Sequence, residues 1–197
     1  MDRGGTSYMN MVANDFPGDI TVLEAHSEVQ NLDFTRTSTD QGIYNHHNVF
    51  MDLVKPINAY GCEVGVKPQA QLPITVLSAG ATEDGTLRYF SEDGAIKSGY
   101  YLPKTRKILN VIDVINYNNV EKEVYTSTEI EYLEGKPEGY VRATMQRVDP
   151  GICGGPNGAG IHPPKGQTKF AVKSQNIVAM RDGWVINARK LLKVKIL

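Results

Sequence analysis

Cysteine is nearly absent from this chain: Cys62 and Cys153 are the two in 197 residues. Two thiols cannot build a disulfide scaffold or a thiolate zinc site. A single Cys62–Cys153 bridge and two separate thiols both remain open readings. Neither sign of charge is in excess, with 21 Lys plus Arg against 22 Asp plus Glu. That balance gives no electrostatic footprint for nucleic acid or an anionic membrane, so neither is expected as a partner. No window approaches the roughly eighteen apolar residues that a membrane-spanning helix needs. The start of the chain, Met1 to Ser7, is polar and lacks the apolar stretch of a secretory signal. The expectation is a chain that stays in the cytosol or has lost an N-terminal piece. There is no Asn-x-Ser/Thr sequon, so glycosylation gives no hint of compartment.

Chemical motifs are equally scarce. No His-Glu-x-x-His zinc motif is present, and no Gly-x-Ser-x-Gly hydrolase elbow. The glycines at 151, 154, 155, 158 and 160 lack the lysine and following helix of a phosphate loop. Helical periodicity with caps is missing from every long stretch.

What the chain does have is strand pattern. A hydrophobic fraction of 41% suffices for a real core. Residues 123–133, EVYTSTEIEYL, alternate with period two, the mark of a half-buried antiparallel strand. Residues 108–117, ILNVIDVINY, are β-branched and stop at Asn118-Asn119, and are expected to pair with 124–133 as a hairpin. Further strands are expected at 20–29, 43–54, 74–79, 86–90, 96–102, 140–148, 168–174 and 184–189. Short strands separated by Gly, Pro and Asn argue for an all-β fold, an antiparallel jelly-roll-like β-sandwich of roughly eight to ten strands with long Gly/Pro-rich loops. The layout read from the sequence has an irregular segment over 1–19, the sandwich over 20–189, and a C-terminal edge strand or non-native tail over 190–197. Residues 149–160 read as a long irregular loop closing one end.

The most pointed feature is His46-His47, within the strand pattern 43–54. Neutral imidazole is the commonest side-chain ligand for copper, zinc and iron. Two histidines are half a site, because a metal takes about three or four protein ligands. Neighbours on a regular strand also point to opposite faces, so both rings reach one ion only across a bulge or twist. The third ligand is sought at His26 or His162, the two other histidines. On the bland reading, one histidine is solvated and the other is hydrogen-bonded within the sheet. The glutamates at 123, 129, 131 and 134 read as a solvated strand face. Trp184 and the tyrosines at 100, 101, 117, 125, 132 and 140 read as core and strand-face packing rather than a ligand platform.

Several segments, in this order, resemble the fungal branch of the stress up-regulated Nod (SURNod) family. They are DQGIYNHHN (40–48), SGYYL (98–102), VINYNN (114–119), EYLEGKP (131–137), PPKGQTKF (163–170) and DGWVINAR (182–189). The likeness covers most of residues 24–189. It implies a jelly-roll domain similar to that of copper type II ascorbate-dependent monooxygenases, with His46 and His47 as a copper-holding pair, and an extracellular location. The family pattern continues after Asn-Ala-Arg with Gly-His-Leu-His-Asp-Gly-Gly, whereas here Arg189 runs into Lys190-Leu191-Leu192-Lys193. The second copper centre of those enzymes and its methionine ligand have no counterpart.

Three expectations follow. The favoured one is a β-sandwich of unsettled function with a partial copper site at His46 and His47. The second is a small-molecule-binding protein, or a metal-independent cyclase-type enzyme, with an aromatic-lined pocket. The third is a copper-dependent monooxygenase-like oxidoreductase.

Overall fold

The structure, a computed structural model, describes residues 6–13, 15–54, 60–63, 75–80, 85–145, 153, 165–167, 177–179 and 182–186. Strands dominate these residues, and one 3-10 turn at Thr39–Gln41 is the helical exception among them. The strands are β1 (Thr6–Val12), β2 (Ile20–Gln30), β3 (Ile43–Asp52), β4 (Tyr60–Cys62), β5 (Thr75–Gly80), β6 (Leu87–Arg88), β7 (Ser98–Leu102), β8 (Ile108–Asn116), β9 (Tyr125–Glu134), β10 (Val141–Arg142) and β11 (Ile177–Ala179). The chain divides into two compact units, one of Met1–Lys55 with Ile74–Met145 and one of Pro56–Pro73 with Gln146–Leu197. The sequence suggested a single sandwich over 20–189.

The first unit is the β-sandwich. One sheet runs β1-β8-β3-β5. In the other, β2 is the long central strand, with β7 and β6 along one edge and β9 along the other, and β10 outside β7. Pairing among the described strands is antiparallel except for β10, which runs parallel to β7 over two residues. β2 shows why it sits in the centre. Beyond a bulge at Leu23, Ala25, Ser27 and Val29 are buried and alternate with half-exposed Glu24, His26, Glu28 and Gln30. Val29 packs with Ile43, Ile112 and Val114 of the facing sheet, and Val124 covers this cluster. Burying each such side chain contributes about 1.5–3 kcal/mol.

The expected hairpin between 108–117 and 124–133 does not form. β8 pairs with β1 and β3, whereas β9 crosses to the other sheet and pairs with β2 along its length. The reason lies in composition. β8 is buried at Ile108, Asn110, Val111, Ile112 and Val114, as a central strand is, while β9 exposes Glu129 and Glu131 as an edge strand does. The segment expected to be irregular, 1–19, contains β1, in full register with β8 from Thr6↔Ile115 to Val12↔Leu109.

The two sheets are also pinned by polar groups. Buried Tyr100 donates its hydroxyl to Asp52, itself fully buried, at 2.9 Å. Burial, then the Asp52 charge, push the Tyr100 phenol above its ordinary range, so it remains a donor. Tyr89, ring centroid 5.3 Å from Tyr100, donates to the Leu77 carbonyl at 2.7 Å. Tyr100→Phe removes the donor and leaves the Asp52 oxygen inside the core. The expected cost is about 1–3 kcal/mol, read as a lower urea midpoint with unchanged slope.

In the second unit β4 and β11 pair with Cys62 opposite Ile177, and Cys62 is bonded to Cys153. The thiols are therefore joined rather than separate. Trp184, expected in a core or on a strand, is exposed in a segment without strand structure. The strand expected at 168–174, most of the loop at 149–160 and the tail at 190–197 lie outside the described residues.

Candidate metal centre

The core side of β3 sets the geometry of the histidine pair. Ile43 and Asn45 are buried two residues apart, and then Asn48, Phe50 and Asp52 continue the buried set. From Asn45 to Asn48 the spacing is three, so the alternation slips by one. The slip appears in the ladder with β8: Asn45 faces Val114, His47 faces Asp113, and His46 is the extra residue between them. This is a β-bulge, the distortion that lets adjacent side chains share a face. Asn48 anchors the far side of it by donating its amide to the Glu28 carbonyl of the opposite sheet at 3.3 Å.

Both imidazoles consequently stand on the side away from the core, ring centroids 5.0 Å apart and planes tilted by 49°. His46 Nδ1 lies 2.7 Å from Asp113 Oδ2, and the His46 side chain is 51% exposed. Both atoms are metal donors, so an ion bound between ring and carboxylate would take the place of the hydrogen bond they now share. The second oxygen, Asp113 Oδ1, is buried and has no hydrogen-bond partner. One ligand atom from each of His46, His47 and Asp113 lies within 4.8 Å of the others. Metal–ligand distances of about 2 Å place donors roughly 3–4 Å apart, so this set closes on one ion by small side-chain rotations.

His26, one expected third ligand, is on β2 of the other sheet. Its Nδ1 is 3.0 Å from Thr86 Oγ1 and its Nε2 is 3.3 Å from Glu28 Oε2. His162 lies outside the described residues. The third donor beside the pair is Asp113, which the sequence reading passed over. A signal was there: an aspartate in mid-strand among the β-branched residues of ILNVIDVIN.

Aromatic rings continue from the pair. Tyr44 is 5.8 Å from His46, and Tyr117 is 6.4 Å from Tyr44. Tyr100 is buried, and Tyr117, Tyr125 and Tyr132 are exposed, with Tyr117 and Tyr125 in ring contact with Tyr44 and Phe34. Comparison of the chain with protein-family models, curated proteins and solved structures returned no match.

Proposed function

We propose that the first unit binds a divalent transition metal, copper(II) foremost, through His46, His47 and Asp113. The observation that carries this reading is the bulge at His46, which turns both rings to the side where Asp113 stands. Two imidazole nitrogens and a carboxylate oxygen suit copper, zinc and nickel, and copper(II) binds such donors most tightly in the divalent series. A bound ion also relieves Asp113 Oδ1, whose burial without a partner costs about 1–3 kcal/mol. Three protein donors leave coordination positions for water or a small ligand, as reactive rather than closed structural centres do. A copper ion held this way would supply Lewis acidity and one-electron chemistry. The Cys62–Cys153 bridge supports an oxidising compartment, as the extracellular location implied by the SURNod resemblance requires.

Copper(II) titration of wild type against His46→Ala/His47→Ala, with a competing chelator, tests this. The double variant is expected to bind at least about a hundredfold more weakly, and Asp113→Asn about ten- to a hundredfold more weakly. Equal affinity in wild type and double variant would remove the metal reading.

A further inference from the structure

The loop after β2 and the loop between β8 and β9 meet at one end of the first unit. Gln41 joins them: its carbonyl accepts from Asn118 Nδ2 at 3.1 Å and lies 3.5 Å from Lys122 Nζ. Between the loops is an open cleft of about 540 Å³. Asn31, Asp33, Gln41, Glu121, Lys122 and Glu123 bring amides, carboxyls and one ammonium to its wall.

Aromatic residues on these loops and at their strand ends are left in solvent. Phe34 is 71% exposed, Tyr117 61% and Tyr125 45%. Phe34 and Tyr125 stack with centroids 5.9 Å apart and planes within 13°. Phe34 is held there by its backbone. Its N–H donates to the Asn31 carbonyl at 3.0 Å, and Asn31 N–H donates to the Thr35 carbonyl at 2.8 Å. This tight turn sets Phe34 at φ +64°, in the left-handed region. Glycine or asparagine adopts that conformation cheaply, whereas a phenylalanine gives up about 1–2 kcal/mol there. The chain thus accepts strain to hold a phenyl ring outward in one pose.

We propose that this end of the sandwich binds a neutral oligosaccharide. A pyranose ring has a face of C–H bonds that packs on an aromatic ring, and hydroxyls at its rim that pair with amides and carboxyls. Both complements are carried by the same two loops and their flanking strand ends. An apolar ligand is disfavoured, because it needs enclosed walls, and this cleft is open and mixes Leu32 with carboxyls and amides. A protein partner of ordinary affinity needs an interface of about 1,200 Å² or more, with an apolar centre. The exposed apolar residues of these loops and strand ends are Leu32, Phe34, Tyr117, Val120 and Tyr125, and Asp33, Glu121, Lys122 and Glu123 intersperse them in sequence. Asp33, Glu121 and Glu123 outnumber Lys122, so uronic or sulfated chains are repelled. The inference does not depend on metal at His46 and His47.

The test is calorimetric titration of the full chain with cellohexaose, xylohexaose and mannohexaose, with hexagalacturonate as the acidic comparison. At least one neutral hexaose is expected to bind, and more tightly than hexagalacturonate. Phe34→Ala and Tyr117→Ala are each expected to weaken that binding about tenfold. Phe34→Gly is expected to weaken it equally while raising the melting temperature, because glycine relieves the strained backbone. That opposition separates a binding role from a merely structural one. Failure of all three neutral hexaoses to bind, undiminished binding in both alanine variants, or preference for hexagalacturonate would overturn the proposal.

Discussion

Loss of the Cys62–Cys153 bridge is expected to lower the stability of the chain by about 4–5 kcal/mol. The two cysteines are 91 residues apart in sequence, and the loop they close contains β5 to β10. Closing a loop of that length removes about 15 cal/mol/K of chain entropy from the unfolded state, by the usual chain-entropy relation. Native contacts add to this. Cys153 is fully buried, and Cys62 stands in register opposite Ile177 in the β4–β11 ladder, so the bridge fastens the 153 region to that ribbon. Urea unfolding followed by circular dichroism measures the effect. Cys62→Ala/Cys153→Ala is expected to shift the midpoint down, and wild type in excess reductant is expected to follow the variant. A wild-type midpoint unmoved by reductant would mean that the thiols are separate. The same result would remove the support that the bridge lends to an oxidising compartment.

Strand positions were legible in the sequence where alternation is long. β2, β3, β5, β7, β8 and β9 fall within about two residues of the expected ranges, because β-branched and aromatic residues cluster there between Gly, Pro and Asn breaks. Pairing was less legible, because it is not local. Nothing within 108–134 states that β8 pairs with β1 and β3 while β9 pairs with β2, because those partners lie far away in sequence. β4 and β11 span three residues each and carry no period to read. β1 mixes Ser, Met, Tyr and Asn with too little contrast between its faces.

The candidate site divides in the same way. His46-His47 announces itself as a dipeptide, and pleat geometry alone demands a bulge if the rings are to converge. Asp113 is 66 residues beyond His47 in sequence and reaches it only through the β3–β8 register. Which tyrosines are core and which are exposed was illegible for a related reason. An aromatic at a strand end looks like core until the neighbouring loops are placed, and Tyr117 and Tyr125 flank a loop whose polar residues face a cleft.

Deletion of His46 is expected to leave the sandwich folded and to lower copper(II) affinity at least about a hundredfold. The bulge residue makes no ladder pair with β8, so removing it breaks no register contact. Without it Ile43, Asn45, Asn48, Phe50 and Asp52 fall into strict alternation, and every buried residue of β3 keeps its side. β5 pairs only with Asn48 to Asp52, beyond the bulge, and is undisturbed. The core therefore gains nothing from His46. A strand that needed only to close the sandwich would do so more simply with one residue fewer, since a one-residue slip normally sends every later side chain to the wrong face. The expected stability change is within about 1 kcal/mol of that in His46→Ala, which keeps the bulge and loses the ligand. The pair of variants separates two origins of the distortion. If deletion unfolds the protein while His46→Ala does not, the bulge serves the fold. If both fold and both lose copper, the bulge exists to bring two neighbouring imidazoles to Asp113.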